Sequence, residues 1–338
     1  MRLVTQGVLA LAMVLCSELA LAKAGEFKIA TIAPDGTSTM KQLRAAANEI
    51  KERTQSRAKL KFYPGGVMGN DKTVLRKIKL GQLQGAVFTS GTVAKIDLAA
   101  DLYSLPMVFR NMDEVVYVRE QMDGQIQARI EDKGFVALGI SNGGFAYLMA
   151  DRPVSSLEGL KTHKIWVPEG DSLTSTTFVQ GGIRTVPLPI SDVYTGLQTG
   201  LIDTVTATPS GTIALQWHTK IKYMVDFPLI HLTGFLVVQR KAFEKLSAED
   251  QAIMREVIGG TFAELNQLNE KDNREARTAL RTQGVVIGTL TEQESERWRA
   301  LAEKSVAEIE ALDEFPRDLF SVLMEHLATY RSEVAVGN

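Results

Sequence analysis

Two stretches of this chain repeat one design. Residues 74–89 read VLRKIKLGQLQGAVFT and residues 193–208 read VYTGLQTGLIDTVTAT, so that Val74/Val193, Gly81/Gly200 and Thr89/Thr208 coincide. In each, apolar residues at helical spacing are followed by a glycine stop and a short apolar strand. The preceding elements correspond as well. Residues 27–33 predict a first strand, and Ser38 caps a helix carrying Met40, Leu43, Ala47 and Ile50. Leu60 and Phe62 lie on a second strand closed by Pro64-Gly65-Gly66. Asp71 then caps the helix of the first copy, and residues 85–90 form its strand. Ahead of the second copy, residues 164–168, 172–180 and 184–188 predict strand, helix and strand. Ser191 or Asp192 caps the helix of that copy, and residues 202–208 form its strand. Alternating strands and helices imply a mostly parallel sheet. Two such runs therefore predict an α/β fold of two lobes with a cleft between their carboxyl edges, where open α/β sheets bind ligands.

The last third reads as helical. Ser247 and Asp250 mark one helix start, and Thr291 with Glu294 forms a capping box ahead of Trp298, Leu301, Val306 and Ile309. The charge-rich residues 264–281 predict a solvated helix face. Trp217 and Tyr223 are expected in a helical run after the second sheet, as packing. At the other end, Met1-Arg2, an apolar run over residues 8–16, and the small-x-small patterns Ala20-Leu21-Ala22 and Ala22-Lys23-Ala24 predict a signal peptide over residues 1–24. Cleavage near Ala22 or Ala24 removes Cys16, the only cysteine. The mature chain then has no disulfide, thiolate nucleophile or Cys-based metal site. A formal charge of −2 offers no field for nucleic acid.

Catalytic patterns are missing from the sequence. His163, His218, His231 and His326 form no i, i+4 pair, and there is no Gly-x-Ser-x-Gly elbow, P-loop or Gly-x-Gly-x-x-Gly. The expectation is a protein that is not an enzyme and that needs neither metal nor cofactor. An enzyme would require a nucleophile–base pair or metal in the cleft.

Several segments, in order, carry a resemblance. They are Gly36-Thr37-Ser38, Tyr63-Pro64-Gly65 with Met68-Gly69-Asn70, and Leu105-Pro106-Met107-Val108-Phe109. Further on come Ser156-Leu157-Glu158-Gly159-Leu160-Lys161, Lys164-Ile165-Trp166-Val167-Pro168, and Asp192-Val193-Tyr194 through Leu197-Gln198-Thr199-Gly200 to Asp203. With these the chain resembles the DctP-type solute-binding proteins of tripartite ATP-independent periplasmic (TRAP) transporters. The resemblance implies two lobes joined by crossing strands and long helices, location in the periplasm, closure on a ligand, and delivery to TRAP membrane permease subunits. The expected division is residues 25–143 with 233–272 as the first lobe, and residues 144–232 with 273–338 as the second lobe and the C-terminal helices. Motion is expected near Gly143-Gly144 and Leu232-Thr233-Gly234.

The departures from the family pattern point to the ligand. Most relatives carry an Arg at the position of Trp166, where it makes a two-pronged salt bridge to a substrate carboxylate. Many have a second Arg at the position of Ala146. Ala207, Thr89, Ile190 and Pro34 also stand where relatives carry other, mostly polar, side chains. The resemblance puts the ligand site at these six positions together with Phe145, Tyr147, Phe88, Ser90, Gly170 and Met107. A carboxylate buried there would find neither Arg, and desolvating it unpaired is costly. The reading is a ligand with a substantial apolar part. The alternatives are an organic acid held by a different cation, with Arg184 and Lys164 nearby in sequence, and a periplasmic sensor without transport. Branches of the family that lack the Arg imply a further partner, a helical-repeat periplasmic helper protein.

Overall fold

The computed structural model describes residues 25–169 and 171–337. The expected signal peptide and Gly170 lie outside the described residues.

Each half begins with the parallel unit that its sequence predicts. β1 (Gly25–Thr31) pairs in parallel with β2 (Ala58–Tyr63) and with β3 (Gly85–Thr89). A long strand, β4 (Phe135–Ala150), then leaves the first lobe for the second. There β5 (Ile165–Pro168) pairs in parallel with β6 (Thr185–Leu188) and β7 (Thr204–Ala207). β8 (Tyr223–Val225) follows, and β9 (Ile230–Gln239) returns to the first lobe; β8 also takes β10 (Val286–Gly288) as a parallel neighbour. β4 and β9 pair antiparallel along their length, with β9 beside β3 and β4 beside β7. The strand order is β2-β1-β3-β9-β4-β7-β5-β6. Two parallel units are thus joined edge to edge by two antiparallel crossing strands.

The repeated residues of the sequence occupy matching, demanding positions. Val74 and Val193 are buried under their sheets. Gly81 and Gly200 end the two helices with φ of 73° and 71°, backbone that favours glycine. Thr89 and Thr208 each stand at the N-cap of the helical turn after the strand. Ser247 and Thr291 cap their helices as expected, whereas the first two caps of the first lobe differ by one residue from expectation. Helix α1 (Ser38–Arg53) is capped by Thr37, which accepts from Met40 N at 3.3 Å. Helix α2 (Asp71–Lys79) is capped by Asn70, which accepts from Thr73 N at 3.0 Å. In both cases the predicted residue is already helical, so its side chain cannot reach back to the open amides.

Helix α3 (Met112–Asp132) covers the first lobe, and α4 (Ser172–Gln180) and α5 (Val193–Thr199) belong to the second. Three long helices follow: α6 (Ala248–Thr282), α7 (Glu292–Glu310) and α8 (Arg317–Gly337). The last of these corrects the expected division. Leu319, Leu323 and Leu327 of α8 pack into the first-lobe core with Val115, Val118 and Met122, and Arg331 pairs with buried Glu114 at 2.7 Å. α7 bridges the lobes, with Trp298 in a second-lobe core and Ile309 in the first. Trp217 sits in a 3-10 turn and Tyr223 on β8, so neither lies in the helical run expected for them.

The crossing point is built from glycine and asparagine. β4 shifts register between Asn142 and Gly144, and Gly144 has φ of 93°. A Cβ there would lie 2.6 Å from Asn273 Nδ2. Asn266, Asn269 and Asn273 form one ladder on α6. Asn266 Oδ1 accepts from Asn142 N at 2.6 Å, Asn269 donates to Asn142 O at 2.8 Å, and Asn273 donates to Gly143 O at 3.0 Å. Within residues 264–281, one face of the helix is therefore a clamp on β4 rather than solvated surface. Among the described residues no helix is long and apolar enough to cross a membrane.

Candidate functional site

A cavity of about 420 Å³ lies between the lobes, at the carboxyl ends of their strands. The first lobe contributes Ile32 after β1, Asn70 and Asp71 at the start of α2, Thr89 and Ser90 at the end of β3, and Lys95, Asp101 and Ser104 beyond them. The second contributes Trp166 and Pro168 from β5, Asp171 and Thr174 at the start of α4, Ile190 after β6, and Thr206 from β7. Ile230 and Leu232 of β9 form the part of the wall that both lobes share.

Trp166 is a fixed wall. Its ring is 4% exposed and packs edge-on against Trp217, with centroids 5.2 Å apart at 74°. Its Nε1–H donates to Leu188 O on the neighbouring strand at 2.9 Å. The indole donor is thus committed to the protein, and a ligand meets only the apolar ring.

Opposite charges are unevenly supplied. Asp71, Asp101, Glu169 and Asp171 line the cavity against Lys72 and Lys95, and no arginine joins them among the described residues. Asp171 caps α4, accepting from Thr174 N at 3.0 Å and from its hydroxyl at 2.7 Å. Asp101 stands opposite, on the 3-10 stretch Leu98–Ser104, with the Ser90 hydroxyl beside it. A Cβ on Gly91 would lie 3.9 Å from Asp101 Oδ2 and 3.9 Å from Asp171 Cγ. The two carboxyl groups therefore approach one point from the two lobes. Burial, and then the repulsion of Asp171, pushes the Asp101 carboxyl up to about 7. Burial also raises Asp171 and Asp71. Lys95 lowers all three but spends one donor across the cleft, on Glu169 O at 3.3 Å. Thr206 Oγ1 is buried with no hydrogen-bond partner among the described residues.

Of the residues predicted for the site, Thr89, Ser90, Trp166 and Ile190 line this cavity. Ala207 is buried in the second-lobe core, and its neighbour Thr206 takes the wall position. Phe88 is buried in the first-lobe core, Met107 packs against a second-lobe core, and Ala146 is wholly buried. Pro34 is half-buried outside the wall, and Ile32 lines it instead. Phe145 and Tyr147 open on a separate depression of about 200 Å³ beside α6, with Asn273 and Arg277. Alternation along β4 puts both on one face, turned away from the cleft. Sequence reasoning missed Asp101, Asp171, Lys95 and Thr206. A signal was present for two of them: Asp171 precedes a predicted helix as a cap, and Asp101 interrupts an apolar stretch.

Comparison with known proteins fits this geometry. Residues 29–312 match the family described as bacterial extracellular solute-binding protein, family 7 (DctP). A solute-binding protein of Chromohalobacter salexigens is 27% identical over 278 residues, 80% of this chain and 81% of the relative. The C4-dicarboxylate-binding periplasmic protein DctP of Rhodobacter capsulatus is 23% identical over 274 residues, 79% of this chain and 80% of the relative. Among solved structures, a TRAP periplasmic solute-binding protein of Desulfovibrio salexigens with bound orotic acid superposes with a TM-score of 0.84 at 18% identity, covering 90% of this chain and 99% of that one. One of Xanthobacter autotrophicus with bound β-D-galacturonate gives 0.83 at 21%, covering 89% and 99%.

Proposed function

The chain belongs to the DctP family of bacterial extracellular solute-binding proteins, and on that premise we propose that it captures a ligand with a substantial apolar part in the interlobe cavity and delivers it to TRAP permease subunits. The family is one of receptors and not of enzymes. The observation that carries the ligand reading is Trp166, an indole ring with its N–H already committed, in a wall without arginine among the described residues. Ile32, Pro168, Leu173, Ile190, Ile230 and Leu232 extend the apolar surface. Burying about 100 Å² of apolar ligand yields roughly 2.5 kcal/mol. A medium-length chain therefore reaches micromolar affinity once association costs are met. Capture brings the lobes together about the crossing strands, and the permease reads the closed shape. The signal peptide would direct the chain to the periplasm, and a helical-repeat helper protein would serve as a further partner for apolar cargo.

Two measurements test this reading. Mass spectrometry of ligand extracted from the protein as purified is expected to show an apolar chain; a short polyhydroxylated acid refutes it. Trp166→Arg is expected to abolish retention of that ligand by setting a cation in the apolar wall. Unchanged retention would reduce Trp166 to packing and favour the second reading, an organic acid held by a cation other than the usual Arg. Lys72 and Lys95 are the cavity's cations for that role. Arg184 and Lys164 are exposed and absent from the wall, with the Lys164 ammonium bound to Gly200 O at 2.9 Å.

A further inference from the structure

The apolar wall accounts for one side of the cavity; the carboxyl groups account for nothing in it so far. From their placement we infer that the ligand's polar end is a protonated nitrogen, an ammonium or similar organic cation, held between Asp101 of one lobe and Asp171 of the other. This rests on the interlobe cavity being the ligand site, and it names the chemical class of that ligand's head.

Three independent observations converge. Geometry comes first. The two carboxyl groups flank Gly91, each 3.9 Å from the point where a Cβ would stand, and glycine leaves that point open to a ligand atom. The second is charge. Asp71, Asp101, Glu169 and Asp171 face the cavity with only Lys72 and Lys95 to balance them. Lys95 is already bound across the cleft to Glu169 O, and Asp71 accepts from the Thr92 hydroxyl. A ligand carboxylate entering here would add a like charge to a partly buried acidic pair, whereas an ammonium supplies the charge that the pair lacks. The third is an unused polar group. Thr206 is 9% exposed and lines the same cavity, and its buried hydroxyl oxygen has no partner among the described residues. A buried hydroxyl left unpaired is costly, so a polar ligand atom that reached it would gain a hydrogen bond that the described residues leave open. Among the described residues no cluster of three or more acidic or imidazole groups is arranged to hold a metal ion, so an organic cation fits better than an inorganic one.

Proton linkage gives the idea a signature of its own. Burial raises both carboxyls, and each opposes the other's ionisation, so the empty cavity retains a proton near neutral pH. An ammonium replaces that proton. Binding then releases protons and tightens as pH rises toward 7. A carboxylate ligand would do the reverse, taking protons up. Asp71, Glu169, Lys72 and Lys95 are the other charged groups facing the pair, and Lys95 acts on both members.

The test uses four probes on the full mature chain, stripped of bound material. They are octylamine, octanol, octanoate and gluconate, titrated calorimetrically at pH 6.5 in two buffers of different ionisation enthalpy. The expected result is that octylamine binds at least about tenfold more tightly than octanol. Octanoate should bind more weakly than octanol, and octylamine binding should release protons. Asp171→Asn keeps the helix cap, because Asn caps as well as Asp. It should weaken octylamine about tenfold, reduce the proton release and weaken octanol far less than octylamine. Asp101→Asn should act alike, with its fold checked by a thermal melt. Octanoate binding above octylamine, or octylamine binding that Asp171→Asn leaves unchanged, overturns the cation reading while leaving the apolar cavity in place. Gluconate binding without any of the eight-carbon probes overturns both. Failure of octylamine to bind overturns the inference whichever other probe succeeds.

Discussion

Replacing Asn273 by alanine removes the tie between the crossing strand, the long helix and the second lobe. Its Nδ2 donates to Gly143 O at 3.0 Å, and its Oδ1 accepts from Ser210 N at 3.2 Å and from Ser210 Oγ at 2.8 Å. Each such bond contributes about 1 kcal/mol net. Alanine recovers roughly 0.5 kcal/mol through its higher helix propensity. The expected loss is therefore about 2.5 kcal/mol, read from the shift of the urea midpoint at constant slope. Asn273→Asp separates the two halves of the tie. It keeps the acceptor for Ser210 and loses the donor to Gly143, so it should cost about half as much. Amide exchange should accelerate around Asn142 and Gly144 in both variants, because the bulge there is held by the asparagine ladder. A loss below about 0.5 kcal/mol for the alanine variant, with exchange at the bulge unchanged, would refute the clamp.

Two further outcomes follow from the same structure. His231 is 1% exposed, and burial together with the Arg119 charge holds its imidazole down to about 3, below its ordinary value of 6.5. Its contribution to stability is whole above pH 6.5 and is lost as pH falls toward 3, on the order of 5 kcal/mol in all. His231→Asn should therefore flatten the acid limb of the melting curve against pH, and an unchanged limb counts against it. Asp101 works the other way, since its contribution is lost as pH rises through about 7. Closure about the β4–β9 crossing should shorten the radius of gyration when a tight ligand binds, and superimposable scattering profiles would sink that mechanism.

The local patterns were legible because each depends on near neighbours in the chain. Val74, Gly81 and Thr89, matched by Val193, Gly200 and Thr208, needed only a helical face, a left-handed stop and a cap, which short windows contain. Gly143 and Gly144 marked a crossing strand because backbone approaches closely there. The family motifs located the cleft, and Trp166 announced a departure within it.

What the sequence by itself determined is thus two α/β lobes, their internal order and a tryptophan on the second lobe's first strand. Tertiary structure alone decided which groups face one another inside the cleft. Asp101 and Asp171 are far apart in the chain and belong to different lobes, so no periodicity links them; only the joining of the lobes brings both beside Gly91. The same holds for Phe145 and Tyr147. Alternation says that they share a face, but the path of β4 against α6 decides that the face is not the cleft. It holds again for α8, whose leucines would suit either lobe's core until Arg331 meets the buried carboxylate of Glu114. A sequence pattern records whether a side chain is buried; which partner buries it depends on contacts between residues far apart in the chain.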